Sequence, residues 1–158
     1  MKQVKEITLK QMRRKLWLLG FFKIPMIGFV KPKLLKLDDN ESVVSIRLRR
    51  KTKNHLNSMY FGALAVGADI AAGLHAFYFA DSLGHKVSFA FKGMNAEFLM
   101  RAESTILFKI DQGELIKKAI LHSAETKERV NQPIDVIATN SKNEKVATFV
   151  MIVSVKVK

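Results

Sequence analysis

The spacing of apolar residues along this chain changes several times, and each change marks an element. From Lys5 to Leu19, Ile7, Leu9, Met12, Leu16 and Leu19 recur at helical spacing with basic residues between them, which predicts an amphipathic helix. Gly20 and Pro25 are expected to break it. A short apolar piece then runs to Val30, and Pro32 with Asp38-Asp39-Asn40 marks a turn. Ser42 to Arg49 alternates, with Val44, Ile46 and Leu48 on one side, and predicts a strand. The polar stretch Lys53–Ser58 follows. From Ser58 to Ala80 the chain is apolar on every side, the pattern of a helix buried all round.

The second half alternates again. Strands are expected from Lys86 through Phe91, with a bulge or bend at Gly93 and Asn95 and a continuation over Glu97–Ala102, and from Thr105 to Asp111. Gln112 to Lys127 reads as a helix whose inner stripe is Leu115, Ile116, Ala119, Ile120 and Ser123. Ile134–Thr139 and Val146–Val157 are the last strands, joined by a hairpin turn at Asn140–Glu144. The contiguous Val150-Met151-Ile152-Val153 predicts a strand centre buried on both faces. One helix followed by an antiparallel series of strands is an α+β arrangement in which the sheet wraps the buried helix. The expectation is a single domain over residues 1–158, with residues 1–35 a helical segment packed on or beside it.

Inside the buried stretch sits one acid, Asp69. An ionised carboxylate among apolar residues has to be paired, protonated or solvated by a site. The polar stretch Asn54-His55-Leu56-Asn57-Ser58 is the nearest source of partners in sequence. Two readings stand: Asp69 acts as a base or nucleophile, or it bonds a loop or a partner subunit and stabilises structure. Asn54 is a site residue or a turn residue, and His55 a base or a bystander. His75 reads as an interior or interface histidine, and His85 and His122 as surface. The four histidines do not cluster with acids at metal-ligand spacing, so neither a metal nor a cofactor is expected.

The segment from Asn54 to Asp69 resembles the site of the phenylacetyl-CoA-type hotdog thioesterases. More closely, the chain resembles an uncharacterised group of thioesterase-like hotdog proteins with an Asn-His loop and a single glycine. In that fold a curved antiparallel sheet wraps a central helix. The resemblance implies Asp69 as the catalytic acid and Asn54 as the loop amide. It further implies Phe61 and Gly62 as the residues whose N–H groups face a developing oxyanion. Tyr60 and Phe61 replace the family's His-Gly. His55, Asn57, Ser58 and Tyr60 would line the substrate. In the family the acid and the loop meet across a subunit boundary, which implies a homodimer or a tetramer acting on acyl-CoA. The alternative is a non-catalytic acyl-CoA or lipid-binding protein, associated with the membrane surface.

Charge and composition adjust this picture in two places. The chain carries 27 Lys+Arg against 14 Asp+Glu, a formal net charge of +13, which favours anionic partners. Arg49, Arg50 and Lys51 are candidates for the CoA phosphates, or simply an exposed strand end. Lys10, Arg13, Arg14 and Lys15 beside Trp17, Leu18, Leu19, Phe21 and Phe22 resemble an interfacial helix, or a helix packed on its own domain. Nucleic acid has only the net charge in its favour, without an aromatic platform or motif. The chain has no cysteine, in keeping with a cytoplasmic protein. Lys23 and Pro25 argue against a signal peptide, and Asp69 at its centre argues against a membrane span from Ser58 to Ala80.

Overall fold

The computed structural model describes residues 4–158; residues 1–3 of the expected N-terminal segment lie outside the described residues. The chain opens with α1 (Leu9–Leu18), whose N-terminus is closed by a capping box. The Gln11 N–H donates to Thr8 Oγ1 at 3.2 Å, and the Thr8 N–H donates to Gln11 Oε1 at 2.8 Å. Gly20 does not end the helix. The chain passes through it in a π-helical turn, Leu19–Lys23, before α2 (Pro25–Val30) begins with its proline in the first turn. The reason is packing. The backbone at Gly20 lies against the backbone at Gly28, and a Cβ on either would collide with the other. These glycines join two short helices into a hairpin.

Six strands form one antiparallel sheet in the order β1-β2-β4-β5-β6-β3. They are β1 (Lys33–Leu37), β2 (Ser42–Ile46), β3 (Val87–Phe98), β4 (Ile106–Ile110), β5 (Val130–Thr139) and β6 (Lys145–Val157). α3 (Phe61–Leu83) crosses the sheet, and α4 (Gly113–Thr126) packs on β5, β6 and α3. The fold is the hotdog arrangement. Val44, Ile46, Ile106, Phe108, Ile110, Ile134, Val136, Phe149, Met151 and Val153 supply much of the core beneath α3. Gly67 makes the close approach possible, because the Phe108 ring occupies the space a Cβ would need. α3 is long and apolar enough to cross a membrane by length, but 72% of its most apolar window is buried by the rest of the chain.

Several boundaries differ from the pattern reading. β1 was expected as part of a turn region; it is a short edge strand in which only Leu34 is buried, so its pattern is weak. β2 stops at Ile46 rather than Arg49, because Arg49 and Thr52 fold into a local turn in which the Arg49 N–H donates to Thr52 Oγ1 at 3.0 Å. β5 begins at Val130 and contains Pro133. There β5 extends past the end of β4, which pairs only with Ile137–Thr139, so the missing N–H costs no ladder bond on that side. The centre of β6 is not buried on both faces. Val150 is 37% exposed and Ile152 half-buried, because no element covers the outer side of the sheet there.

Candidate functional site

The polar loop before α3 is built around Asn54. Its side-chain carbonyl accepts from the Leu56 N–H at 2.9 Å and from the Ser58 N–H and hydroxyl at 3.2 Å each. Its backbone N–H donates to Ser58 O at 2.8 Å, and Asn57 takes the left-handed conformation (φ 60°) that closes the turn. This fixes the loop and commits the Asn54 oxygen, leaving the amide nitrogen without a bonded partner among the described residues. A bond from the Met59 N–H to Ala102 O, 2.7 Å, ties the loop to the segment after β3.

Between the loop and that segment lies a cleft of about 440 Å³. Asn54, His55, Ser58, Tyr60 and Phe61 line it, and so do Phe98, Leu99, Met100, Arg101 and Ala102. The second wall is the part sequence reading missed. Its signal was the apolar run Phe98-Leu99-Met100, whose three side chains are exposed although they follow a strand. α3 begins at the floor of this cleft with no side-chain cap and no acid in its first turn. The N–H groups of Ala63 and Leu64 reach Tyr60 O, whereas those of Phe61 and Gly62 have no acceptor among the described residues. The Tyr60 ring lies where a Cβ on Gly62 would stand, and it contacts the Phe61 ring at 4.8 Å between centroids.

Asp69 lies outside this cleft. It is two turns further along α3, on the half-exposed stripe formed with Gly62, Ala65 and Val66. On the same side of the helix, Gly73 and Phe77 meet Phe89 of β3, the long edge strand. No hydrogen bond or ion pair reaches the Asp69 carboxylate among the described residues, and burial pushes its pKa up to about 6. Eight residues of helix, about 12 Å of rise, separate Asp69 from Phe61. Within one chain, then, Asp69 does not meet Asn54 or the free N–H groups.

The other expected residues are engaged elsewhere. The Arg49 guanidinium donates to Phe29 O of α2 at 2.8 Å, and the Lys51 ammonium sits 5.2 Å from the Phe29 ring centroid. Arg50 is exposed in the turn between them, and Asn57 and Gly62 are outside the lining of the cleft. Arg101 is the cation in the cleft itself. His75 is wholly buried and stacked on Phe79, and its Nε2–H donates to Asp38 O at 2.7 Å. Burial lowers its pKa. Among the described residues no three His, Asp or Glu side chains converge as a metal site would.

Residues 13–155 match the family described as "Domain of unknown function (DUF4442)". The chain belongs to that DUF4442 family. No match is found among curated proteins. Among solved structures, a protein from Pseudomonas aeruginosa called a "Probable Thioesterase" superposes with a TM-score of 0.79 at 18% identity, covering 98% of this chain and 99% of that one. A protein of unknown function from Chlorobaculum tepidum gives a TM-score of 0.82 at 12% identity over 94% and 96% of the two chains. A thioesterase from Haemophilus influenzae gives 0.68 at 12% identity over 98% and 94%. At such identities the likeness is one of fold: this DUF4442 chain shares the hotdog arrangement with these proteins.

Proposed function

We propose that this chain is one half of a homodimer that hydrolyses acyl thioesters of CoA in the cytoplasm. The reading rests on the Asp69 carboxylate. It has no partner among the described residues of its own chain, burial raises its pKa to about 6, and its side of α3 runs along an unpaired edge strand. β3 is twelve residues long, and every other residue offers its backbone N–H and C=O along that edge. Pairing two β3 edges about a twofold axis would cover the half-exposed stripe of α3 and bring each Asp69 towards the partner's loop.

In such a site the thioester carbonyl lies at the start of α3, where the Phe61 and Gly62 N–H groups meet the developing oxyanion. Asp69 from the other protomer takes a proton from water as the water oxygen bonds to the carbonyl carbon. The C–S bond then breaks, the thiolate takes the proton, and a carboxylic acid leaves. Attack by Asp69 itself, with an anhydride then opened by water, uses the same groups. The Asn54 amide nitrogen orients the water or the carbonyl, and His55, Ser58 and Tyr60 line the acyl thioester. Exposed Leu56, Phe98, Leu99 and Met100 favour an apolar acyl group. Arg101 is better placed for a phosphate than Arg49, whose guanidinium is committed to α2. The test is thiol release from a panel of acyl-CoAs by wild type and Asp69→Asn, with mass measured in solution. Release by wild type, its loss in the variant, and a dimer of unchanged mass are expected.

One observation favours a second reading. The Tyr60 ring packed over Gly62 narrows the approach to the free N–H groups. A protein that binds acyl-CoA and releases no thiol from any member of the panel is the non-catalytic acyl carrier, and hydrolysis is then rejected.

A further inference from the structure

A cavity larger than the cleft has no part of Asp69 in its walls. A groove of about 700 Å³ lies between the α1–α2 hairpin and β1, walled by Trp17, Phe21, Ile27 and Leu34 with Arg13 and Lys33 beside them. The hairpin around it is turned inside out by the usual standard. Trp17, Phe21, Phe22 and Met26 are 60–65% exposed. Three of these form one cluster, with Trp17 stacked on Phe21 at 5.2 Å and Phe21 edge-on to Phe22 at 4.7 Å between centroids. A soluble chain rarely leaves so much contiguous aromatic surface without a partner.

The charge around the cluster has one sign. From Ile7 to Leu37 there are six lysines, two arginines and no acid. Lys15 and Lys36 pair with acids further along the chain, but Lys10, Arg14, Lys23, Lys31 and Lys33 are exposed with no acidic partner among the described residues. That combination decides the occupant. A second copy of the hairpin would cover the aromatic rings but would press two sets of unpaired cations together. An anionic lipid surface accepts the rings at its headgroup boundary and neutralises the cations at the same time. It also supplies the two signals, apolar and electrostatic, that lasting attachment needs.

We propose that the α1–α2 hairpin docks this protein on anionic membranes, with Trp17, Phe21 and Phe22 entering the interface and the surrounding lysines and Arg14 meeting lipid phosphates. The Gly20–Gly28 backbone contact holds the two short helices together so that the cluster is presented as one rigid face. The hairpin also contacts the turn that leads into the polar loop. Phe29 of α2 is held by Arg49 and Lys51, at the head of the loop that carries Asn54. The proposal stands apart from the chemistry of Asp69, and each can fail without the other.

Trp17 is the single tryptophan and therefore a built-in probe. The full chain is mixed with vesicles of phosphatidylcholine, or of phosphatidylcholine with phosphatidylglycerol, and followed by sedimentation and Trp17 emission. Sedimentation and a blue shift are expected with the anionic vesicles only, both reversed by high salt. The exposed pair Phe21→Ser/Phe22→Ser, shown to fold by an unchanged melting curve, is expected to bind at least about tenfold more weakly. Lys23→Glu/Lys33→Glu is expected to lose a similar factor. The proposal is overturned if wild type fails to sediment with anionic vesicles, if both double variants bind as wild type does, or if the Trp17 shift follows protein concentration without lipid. The last outcome would assign the face to a second copy of the chain.

Discussion

Asp69 and His75 stand on the same helix, six residues apart, and the chain treats them in opposite ways. His75 is sealed. Its ring is stacked on Phe79, its Nε2–H bonds Asp38 O, and the β1–β2 turn lies over it, while its Nδ1 is buried with no partner among the described residues. That turn is pinned from two more directions. The Tyr78 hydroxyl donates to Asp39 at 2.8 Å, and the Lys117 ammonium reaches the same carboxylate at 3.2 Å. Burial, with Asp39 beside it, pushes the Tyr78 pKa up to about 12. Asp69 has none of this. It is half-buried, which opposes its ionisation, and no group among the described residues relieves the cost. A polar group that folding has buried and anchored through one bond, as it has His75, belongs to the architecture. One that folding has left unsatisfied on an open face marks where a second molecule completes the structure.

Removing either group breaks this comparison at a different point. Asp69→Asn is expected to cut thiol release by about 10²–10⁴-fold, the range of a lost general base, with the far-ultraviolet circular dichroism unchanged. Turnover equal to wild type would take Asp69 out of the chemistry. His75→Ala is expected to leave turnover per folded molecule intact but to cost about 2–4 kcal/mol in denaturant unfolding, through the cavity it opens and the Asp38 bond it deletes. The same Asp69→Asn variant is expected to be more stable than wild type at pH 8, by roughly 1–3 kcal/mol, because wild type keeps a charge where burial opposes it. A destabilised variant would mean that the carboxylate has a stabilising partner.

The two groups also bend stability with pH in opposite senses. Asp69 has a folded pKa above its ordinary value of 3.8, so its contribution is fully present only below that value and is lost as pH rises through about 6. His75 has a folded pKa below its ordinary value, so its contribution is intact above about pH 6.5 and is lost on acidification. Unfolding curves from pH 4 to 8 for wild type and the two variants separate the slopes, each variant losing one of them. The smallest expected effect is at the loop. Asn54→Ala gives up three bonds to one side-chain oxygen, about 1–2 kcal/mol, and any further loss of turnover beyond that measures the free amide nitrogen.

How much of this was legible in the chain depends on whether the signal is local. The buried helix, the alternation of β2, β3 and β4, the bulge at Gly93 and the turn at Asn140–Glu144 all follow from period and turn chemistry, and the structure has them. β1 was missed because an edge strand buries only one side chain, and the early part of β5 because Pro133 sits in it. The loop residues Asn54, His55, Ser58, Tyr60 and Phe61 were legible as a group since they are neighbours in sequence. The cleft's second wall from Phe98 to Ala102 was not, because it is some forty residues away and is joined by a single backbone bond.

Local pattern was enough to place one acid within an apolar helix, to surround that helix with strands and one further helix, and to make the N-terminal segment basic and aromatic. These are matters of composition and period, carried by each stretch alone. Which polar groups found partners was settled by the closed fold. His75 received a carbonyl from a turn thirty-seven residues away, Arg49 was drawn to α2 and Arg101 was left in the cleft, while Asp69 and the Trp17–Phe22 cluster were left open. Partnership depends on distances between segments remote in the chain, and those distances exist only once the sheet has closed around α3.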